Sequence, residues 1–584
     1  MKMKRNPFII LFLIAWTLPS CDFLESEPHI IAEDTFYDSK ESAQLALNGV
    51  YGVLNSYPVY GANLILNFNY TDDLCHFMSP GGSAVTEKGA TFEHDANNAQ
   101  LYDTWTWLYK GVRNANAFLE RIEGTGFDED GSMTAQAIFL RAYYYFILAQ
   151  NFYNVPLRLE STRTYAEVKC KATPQYDVMV WAASQMEESL ENMTGSLEHS
   201  PSDINKSIVH GILARVYLYM AGASVASPAD KKPEYYILAR DHAKAVIDSG
   251  LHRLNPDYKQ IFINYISDTY DHEYYESMWE ADFIGDRSSP DYWSDGRWGD
   301  LNGLRSSSMG TEYTLNNANF AYGLYCNTLK IWDLYMSDDR TVFERNLSHV
   351  TDSRQDWNLP PYHYNGFTDN ANRLYPYGGD PSDIRMLVAG IDKTPYIMGN
   401  AILGTDTNKD ETCYPAGRYI GKFRRECEYE GRKLFKGIWN GINMPLLRYA
   451  DVLLMYAEAV NEVNGAPDES LYDIVKQIRD RAGIQTLPYA GNYDTKETFL
   501  KFIQNERGRE LCFEGIRRYD LLRWGIYFSS LKEVSQLTSD PRWPSGIAST
   551  YNRIYERVSE KHQYLPIPTL ELAVNSEMRQ NPLW

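Results

Sequence analysis

Few residues in this sequence are spaced for bond-breaking chemistry. His272-Glu273-Tyr274-Tyr275-Glu276 begins like H-E-x-x-H, in which two histidines one helical turn apart hold zinc, but Glu276 stands where the second histidine is needed. There is no G-x-S-x-G, no P-loop, no G-x-G-x-x-G, no C-x-x-C pair and no EF-hand spacing. The 77 Asp and Glu residues offer many carboxylate pairs for a glycosidase, yet no pair stands out. The expectation is no catalytic residue, no metal ligand and no cofactor. What the chain does carry is material for holding sugars, which need aromatic faces for their C–H surfaces and planar polar groups for their hydroxyls. One stretch, 73–98, holds His76, Phe77, Phe92, His94, Asn97 and Asn98. Another, 282–325, holds Tyr292, Trp293, Arg297 and Trp298 among Gly and Ser, with no helical or strand period to bury them. Trp293, Trp298, Tyr292, Arg297, Phe92, His94 and Asn98 are the expected ligand contacts. The competing role for such side chains is to pin the loop to its scaffold.

The composition excludes several classes. Over 584 residues, 56 Lys plus Arg face 77 Asp plus Glu, a net charge of −21. A general nucleic-acid binder needs a basic surface to displace counterions from phosphates, so no nucleic-acid partner is expected. Hydrophobic residues at 44% and charged residues at 23% are ordinary for a globular protein. The 45 Tyr and 13 Trp suit half-wet surfaces, because each joins an apolar body to a polar tip.

The elements that must position these loops read as helices. Residues 41–54, 100–121 and 134–152 are candidates, and Tyr143, Tyr144 and Tyr145 on the third read as packing residues. Val209, Leu213, Val216, Tyr217 and Met220 mark one helical face; Tyr236, Ala239, Ala243, Val246 and Ile247 mark a partner stopped by Gly250. The pairing returns with Val452, Tyr456, Val460 and Val463, then Leu471, Ile474, Val475, Ile478 and Ala482. Such pairs resemble tetratricopeptide (TPR) units, although a generic bundle of helical hairpins has the same periodicity. Residues 253–445 are crowded with Gly, Pro, Asp, Asn, Ser and Tyr, the composition of functional loops with short strands. The expected fold is mainly α: TPR-like helical hairpins forming a scaffold, with a large irregular loop-rich region and a few short strands.

At the N-terminus, Lys2, Lys4 and Arg5 precede an apolar run from Phe8 to Leu18, too short to span a bilayer but fitting a signal peptide. Leu18-Pro19-Ser20-Cys21 resembles a bacterial lipoprotein cleavage box, which implies acylation of Cys21 and a lipid as the membrane anchor. The cysteines Cys75, Cys170, Cys326, Cys413, Cys427 and Cys512 are scattered and read as mostly buried thiols.

The C-terminal half carries the most specific strings. Glu506-Arg507-Gly508-Arg509-Glu510-Leu511-Cys512-Phe513-Glu514-Gly515, then Arg517, Asp520-Leu521 and Arg523-Trp524-Gly525, resembles the E-R-x-x-E-L-x-F-E-G-x-R-x-x-D-L-x-R-W-G signature of the SusD/RagB family. Leu447 to Leu454, Ile478 to Gly483, the ending Tyr564-Leu565-Pro566-Ile567-Pro568 with Gln580-Asn581-Pro582, and Cys21-Asp22-Phe23-Leu24-Glu25 are similar to other parts of that family. Gly508, where the family often has a helix former, and the final Leu583-Trp584 depart from its pattern. In physical terms the long motif reads as structure, because its charges alternate in sign at helical i+3 and i+4 spacings.

The resemblance implies four segments: a signal peptide over 1–20, an N-terminal helical region over 21–252, a loop-rich ligand-binding region over 253–445 and a C-terminal helical region over 446–584. It implies a non-catalytic, lipid-anchored outer-membrane protein, exposed at the cell surface. Such a protein captures an oligosaccharide or similar nutrient and passes it to a SusC-like TonB-dependent β-barrel transporter. Two other readings remain open: a helical protein-interaction scaffold without a small ligand, and a secreted glycoside hydrolase.

Overall fold

The computed structural model describes residues 37–77, 88–162, 164–197, 200–284, 296–305, 320–336, 352–360, 362–365, 373–376, 416–430, 439–484, 493–540 and 552–584. The first half is a run of antiparallel helices: α1 (Lys40–Tyr51), α2 (Ala99–Ile122), α3 (Ser132–Phe152), α4 (Gln175–Ser189), α5 (Lys206–Ala221), α6 (Lys232–Ser249) and α7 (Tyr258–Ser267). Each of α1 to α5 packs on the next. Ser39 starts α1 with a capping box, and Gly250, at φ +66°, ends α6 in the left-handed conformation that a side chain would oppose. Gly111 lets α2 and α3 approach closely, since a Cβ there would meet the Tyr144 ring at 2.6 Å. Tyr143, Tyr144 and Tyr145 are buried packing residues.

The middle of the chain contributes short helices α8 (Trp298–Leu301), α9 (Leu329–Met336) and α10 (Ser353–Asn358). The late helices are α11 (Tyr449–Asn464), α12 (Glu469–Arg481), α13 (Lys496–Leu511), α14 (Arg517–Arg523), α15 (Tyr527–Leu537) and α16 (Thr569–Val574). Helix α11 packs on α5, α6, α12 and α13, so the late hairpins extend the early stack. Strands β1 (Cys75–Phe77), β2 (Ser277–Ala281), β3 (Tyr325–Asn327), β4 (Tyr362–Asn365), β5 (Arg373–Pro376) and β6 (Met444–Arg448) pair antiparallel as β1–β3, β2–β6 and β4–β5. The expected helical scaffold with short strands is therefore what the chain forms.

The acids of the long C-terminal motif are buried among arginines. Glu510, fully buried, meets Arg354 at 3.0 Å, Arg448 at 3.1 Å and Arg481 at 2.6 Å. Glu506 meets Arg354, Arg479 and Arg509, while Glu514 meets Lys422 and Arg448. Arg517 reaches Asp73 at 2.8 Å, and Arg507 joins Asp451 to Asp520. These pairs satisfy charges that would otherwise be very costly to bury, and they tie the first, middle and last parts of the chain together. Cys75, Cys326, Cys427 and Cys512 are buried free thiols and Cys170 is half-buried; Cys413 lies outside the described residues. No helix of the described residues is long and apolar enough to cross a membrane.

Candidate functional site

Four expected ligand residues lie inside the protein, and the expectation for them is corrected. Trp298 is fully buried at the start of α8. Its ring packs on Tyr70 and Phe423, 6.0 and 5.1 Å between centroids, and its Nε1 donates to the Tyr60 carbonyl at 3.0 Å. Asn98 is buried because it caps α2, its Oδ1 accepting from the Leu101 N–H at 2.9 Å. Phe92 and His94 join a buried ring cluster, Phe92 against His562 and His94 against Trp584, each at 5.2 Å. Burial lowers the His94 pKa to about 3, so the ring stays neutral. These four side chains hold the scaffold's loops by packing and capping. Cys21, Tyr292 and Trp293 lie outside the described residues.

Arg297 behaves differently. It is half-buried at the edge of a group of aromatic rings. Its guanidinium carbon lies 5.7 Å from the centre of Tyr322 and 5.6 Å from that of Trp439. Trp439 meets Tyr57 edge-on at 5.6 Å, and Tyr322 meets Phe320 at 4.7 Å. Tyr322 is 47% exposed; Tyr57, Phe320 and Trp439 are half-buried. The rings therefore combine firm seating with accessible surface.

The seating comes from the backbone behind them. Gly296 and Asn440 exchange hydrogen bonds, at 3.2 and 3.1 Å, and the Arg297 N–H donates to the Gly61 carbonyl at 3.0 Å. Gly61 ends a wide π-helical turn, Tyr57–Gly61, that carries Tyr57. Buried Asp300 accepts from Arg297 Nε at 2.8 Å and from the Tyr322 N–H at 3.1 Å. Buried Arg425 donates to the Phe320 carbonyl at 2.7 Å and to the Trp439 carbonyl at 3.3 Å. Desolvation disfavours the Arg297 charge, but the Asp300 carboxylate and Tyr57 hydroxyl outweigh it and raise its pKa. Burial raises the Asp300 carboxyl against the pull of Arg297 and Arg425.

This arrangement presents aromatic surface beside a guanidinium whose charge is balanced internally, which suits an uncharged ligand with C–H faces and hydroxyls. Among the described residues no group of three His, Cys, Asp or Glu side chains could hold a metal ion. The sequence reading singles out Arg297 but not Tyr57, Tyr322 or Trp439, which the fold places beside it. Tyr322 lies in the aromatic-rich stretch 282–325 that was singled out, whereas Tyr57 and Trp439 come from distant segments that only the fold brings together.

A family model described as the SusD family matches residues 276–584. A second, described as starch-binding associating with outer membrane, matches residues 22–218. SusD-like protein P25 of Formosa agariphila is 25% identical over 606 aligned positions, covering 98% of this chain and 97% of its own. A SusD homolog of Bacteroides thetaiotaomicron, 25% identical, superposes with a TM-score of 0.77 over 94% of this chain and 98% of its own. A laminarin binding SusD-like protein, 20% identical, shares the fold with a TM-score of 0.63, covering 94% of this chain and 100% of its own.

Proposed function

The chain belongs to the SusD family, and from that premise we propose that it is a non-catalytic binding lipoprotein of the outer membrane that captures an oligosaccharide. The observation that carries this reading is the set of accessible rings, Tyr57, Tyr322 and Trp439, gathered around Arg297 and seated by buried Asp300 and Arg425. Rings held this way stack on sugar faces at little entropic cost, because their seating is fixed before the ligand arrives. The likeness to a laminarin binding SusD-like protein supports a glycan, and the match of residues 22–218 to a starch-binding family associating with outer membrane supports the location. The buried, arginine-paired acids of the C-terminal motif support a structural rather than hydrolytic role for them.

In this proposal Cys21 carries the lipid, Tyr292 and Trp293 are further ligand contacts, and the segment 253–445 supplies much of the ligand-binding sequence. The captured saccharide passes to a SusC-like TonB-dependent β-barrel transporter. The test is calorimetric titration of the purified full chain with laminarin oligosaccharides and a panel of other glycans and peptides. A saturable glycan isotherm, weakened about fivefold or more by Trp439→Ala with unchanged melting, supports the reading. Heat that continues without saturation indicates turnover and a glycosidase. Silence across the panel, with tight binding to the barrel, indicates a protein-only scaffold.

A further inference from the structure

A second cleft, of about 400 Å³, opens along α2, remote in sequence from the Arg297 cluster. Its volume lies within the range of small-ligand sites. Tyr102, Trp105 and Tyr109 line it at i, i+3 and i+7, one helical face. Tyr109 is pinned by its hydroxyl, which donates to the Pro156 carbonyl at 2.8 Å, and by buried Trp105, whose ring is tilted 48° to that of Tyr109 with centroids 4.8 Å apart. The Tyr109 ring is thus held in place before any ligand arrives.

The charges around it are unbalanced. Lys110, Arg113 and Arg158 line the same cleft. Among the described residues none of the three has a carboxylate within ion-pairing distance. The Lys110 Nζ instead sits 3.8 Å over the Trp107 ring. Arg158 donates through Nη1 to the Glu167 carbonyl at 2.9 Å and through Nη2 to the Val168 carbonyl, which fixes the guanidinium without neutralising it. Of the two acids in the lining, Glu571 accepts from Trp105 Nε1 and Asn575 Nδ2, both at 3.4 Å, and Glu160 is exposed at the edge. Burial, and after it neighbouring Arg113, lowers the Lys110 pKa. The lining thus holds three cations against two carboxylates in a chain of net charge −21.

We propose that the α2 cleft binds an acidic saccharide unit, its ring against the half-buried Tyr102 and Tyr109 and its carboxylate or sulfate against Lys110, Arg113 and Arg158. This site is separate from the Arg297 cluster and stands whether or not that cluster binds a neutral glycan. The probes are a galacturonate trimer and a sulfated galactose oligosaccharide, with neutral galactotriose as control, titrated into the full chain at low and moderate salt. The expected result is saturable binding of at least one acidic probe, weakened by salt, with any galactotriose binding confined to the site that depends on Trp439. Which acidic probe binds separates carboxylate from sulfate recognition. The double variant Lys110→Glu with Arg113→Glu, whose side chains hold no hydrogen-bonded partner among the described residues, should lose roughly tenfold or more in affinity with unchanged melting. Trp439→Ala should leave this binding intact, which distinguishes the two sites. The proposal is overturned if neither acidic probe saturates by about 10 mM, if galactotriose binds the Trp439→Ala chain as well as they do, or if the double variant binds undiminished.

Discussion

Replacing Glu510 by alanine tests whether the long C-terminal motif is a frame or a site. Glu510 is fully buried and shared by Arg354, Arg448 and Arg481 at 2.6 to 3.1 Å. Removing it leaves Arg354 with Asp352 and Glu506, Arg448 with Glu276 and Glu514, and Arg481 with Glu276. Three guanidinium groups then share fewer carboxylates in a dry interior. Breaking a buried pair from one side costs about 3–5 kcal/mol. Unfolding entropy for a chain of this length is about 1.2 kcal/mol per kelvin, so the melting temperature should fall by about 3–4 °C. Differential scanning calorimetry at neutral pH reads the shift, and a parallel titration reads glycan affinity. Lower melting with intact affinity is the expected pattern. Unchanged melting with lost affinity would refute the structural reading and make Glu510 a ligand or catalytic group. Acid should mimic part of the change through Glu506. Burial works against its charge, but Arg354, Arg509 and Arg479 outweigh burial and hold its pKa down to about 2. A depressed carboxylate contributes stability above its unfolded value of 4.5, lost as pH falls toward the folded value, so melting should drop between about pH 4.5 and 2.

Further outcomes follow from other parts of the molecule. Trp439→Ala should weaken glycan binding about fivefold or more without altering melting, whereas Trp298→Ala should lose about 3–5 kcal/mol of stability by leaving a cavity behind the site; denaturant unfolding separates the two. Burial, with the Asp282 carboxylate nearby, raises the pKa of Glu280 from 4.5 to about 8, so the folded chain holds a proton that the unfolded chain releases. Stability from this group is therefore greatest below about pH 4.5 and falls as pH rises to about 8; Glu280→Gln should flatten that slope in urea unfolding curves measured across the range. The cleft along α2 should lose acidic-probe binding on charge reversal at Lys110 and Arg113, as calorimetry will read.

The helical frame was legible because burial there follows a period. Val209 to Met220 and Tyr236 to Ile247 fall inside α5 and α6, and the left-handed glycines at 250 and 465 stop their helices where turn chemistry requires. The π-helical turns between Tyr57 and Asn69 have no such signature, since their residues are buried with neither the 3.6 nor the 2.0 repeat. The site was half legible. Composition pointed to the Arg297 stretch, but composition does not distinguish a ring facing solvent from one facing the core. Trp298 adjoins Arg297 in sequence and points inward to Tyr60, while Tyr57 and Trp439 arrive from segments far away along the chain. The charges of the C-terminal motif were readable as structural from their spacing, but their partners were not: Arg517 pairs with Asp73 and Arg354 with Glu510, contacts that only the tertiary fold specifies.

The long reach of these ion pairs sets an order of events during synthesis. Asp73 and Arg517 are 444 residues apart. At roughly 5–20 residues per second, a ribosome needs between about 20 and 90 s to cover that interval. Throughout it the early helices can stack on one another, while the carboxylate beneath them waits for its guanidinium. Lys330, made long before Arg517, reaches Asp73 at 3.0 Å and partly balances it in the interval, but the second cation arrives only with the last stretch of polypeptide. A chain truncated before residue 517 should be held by chaperones or degraded rather than accumulate as a folded fragment.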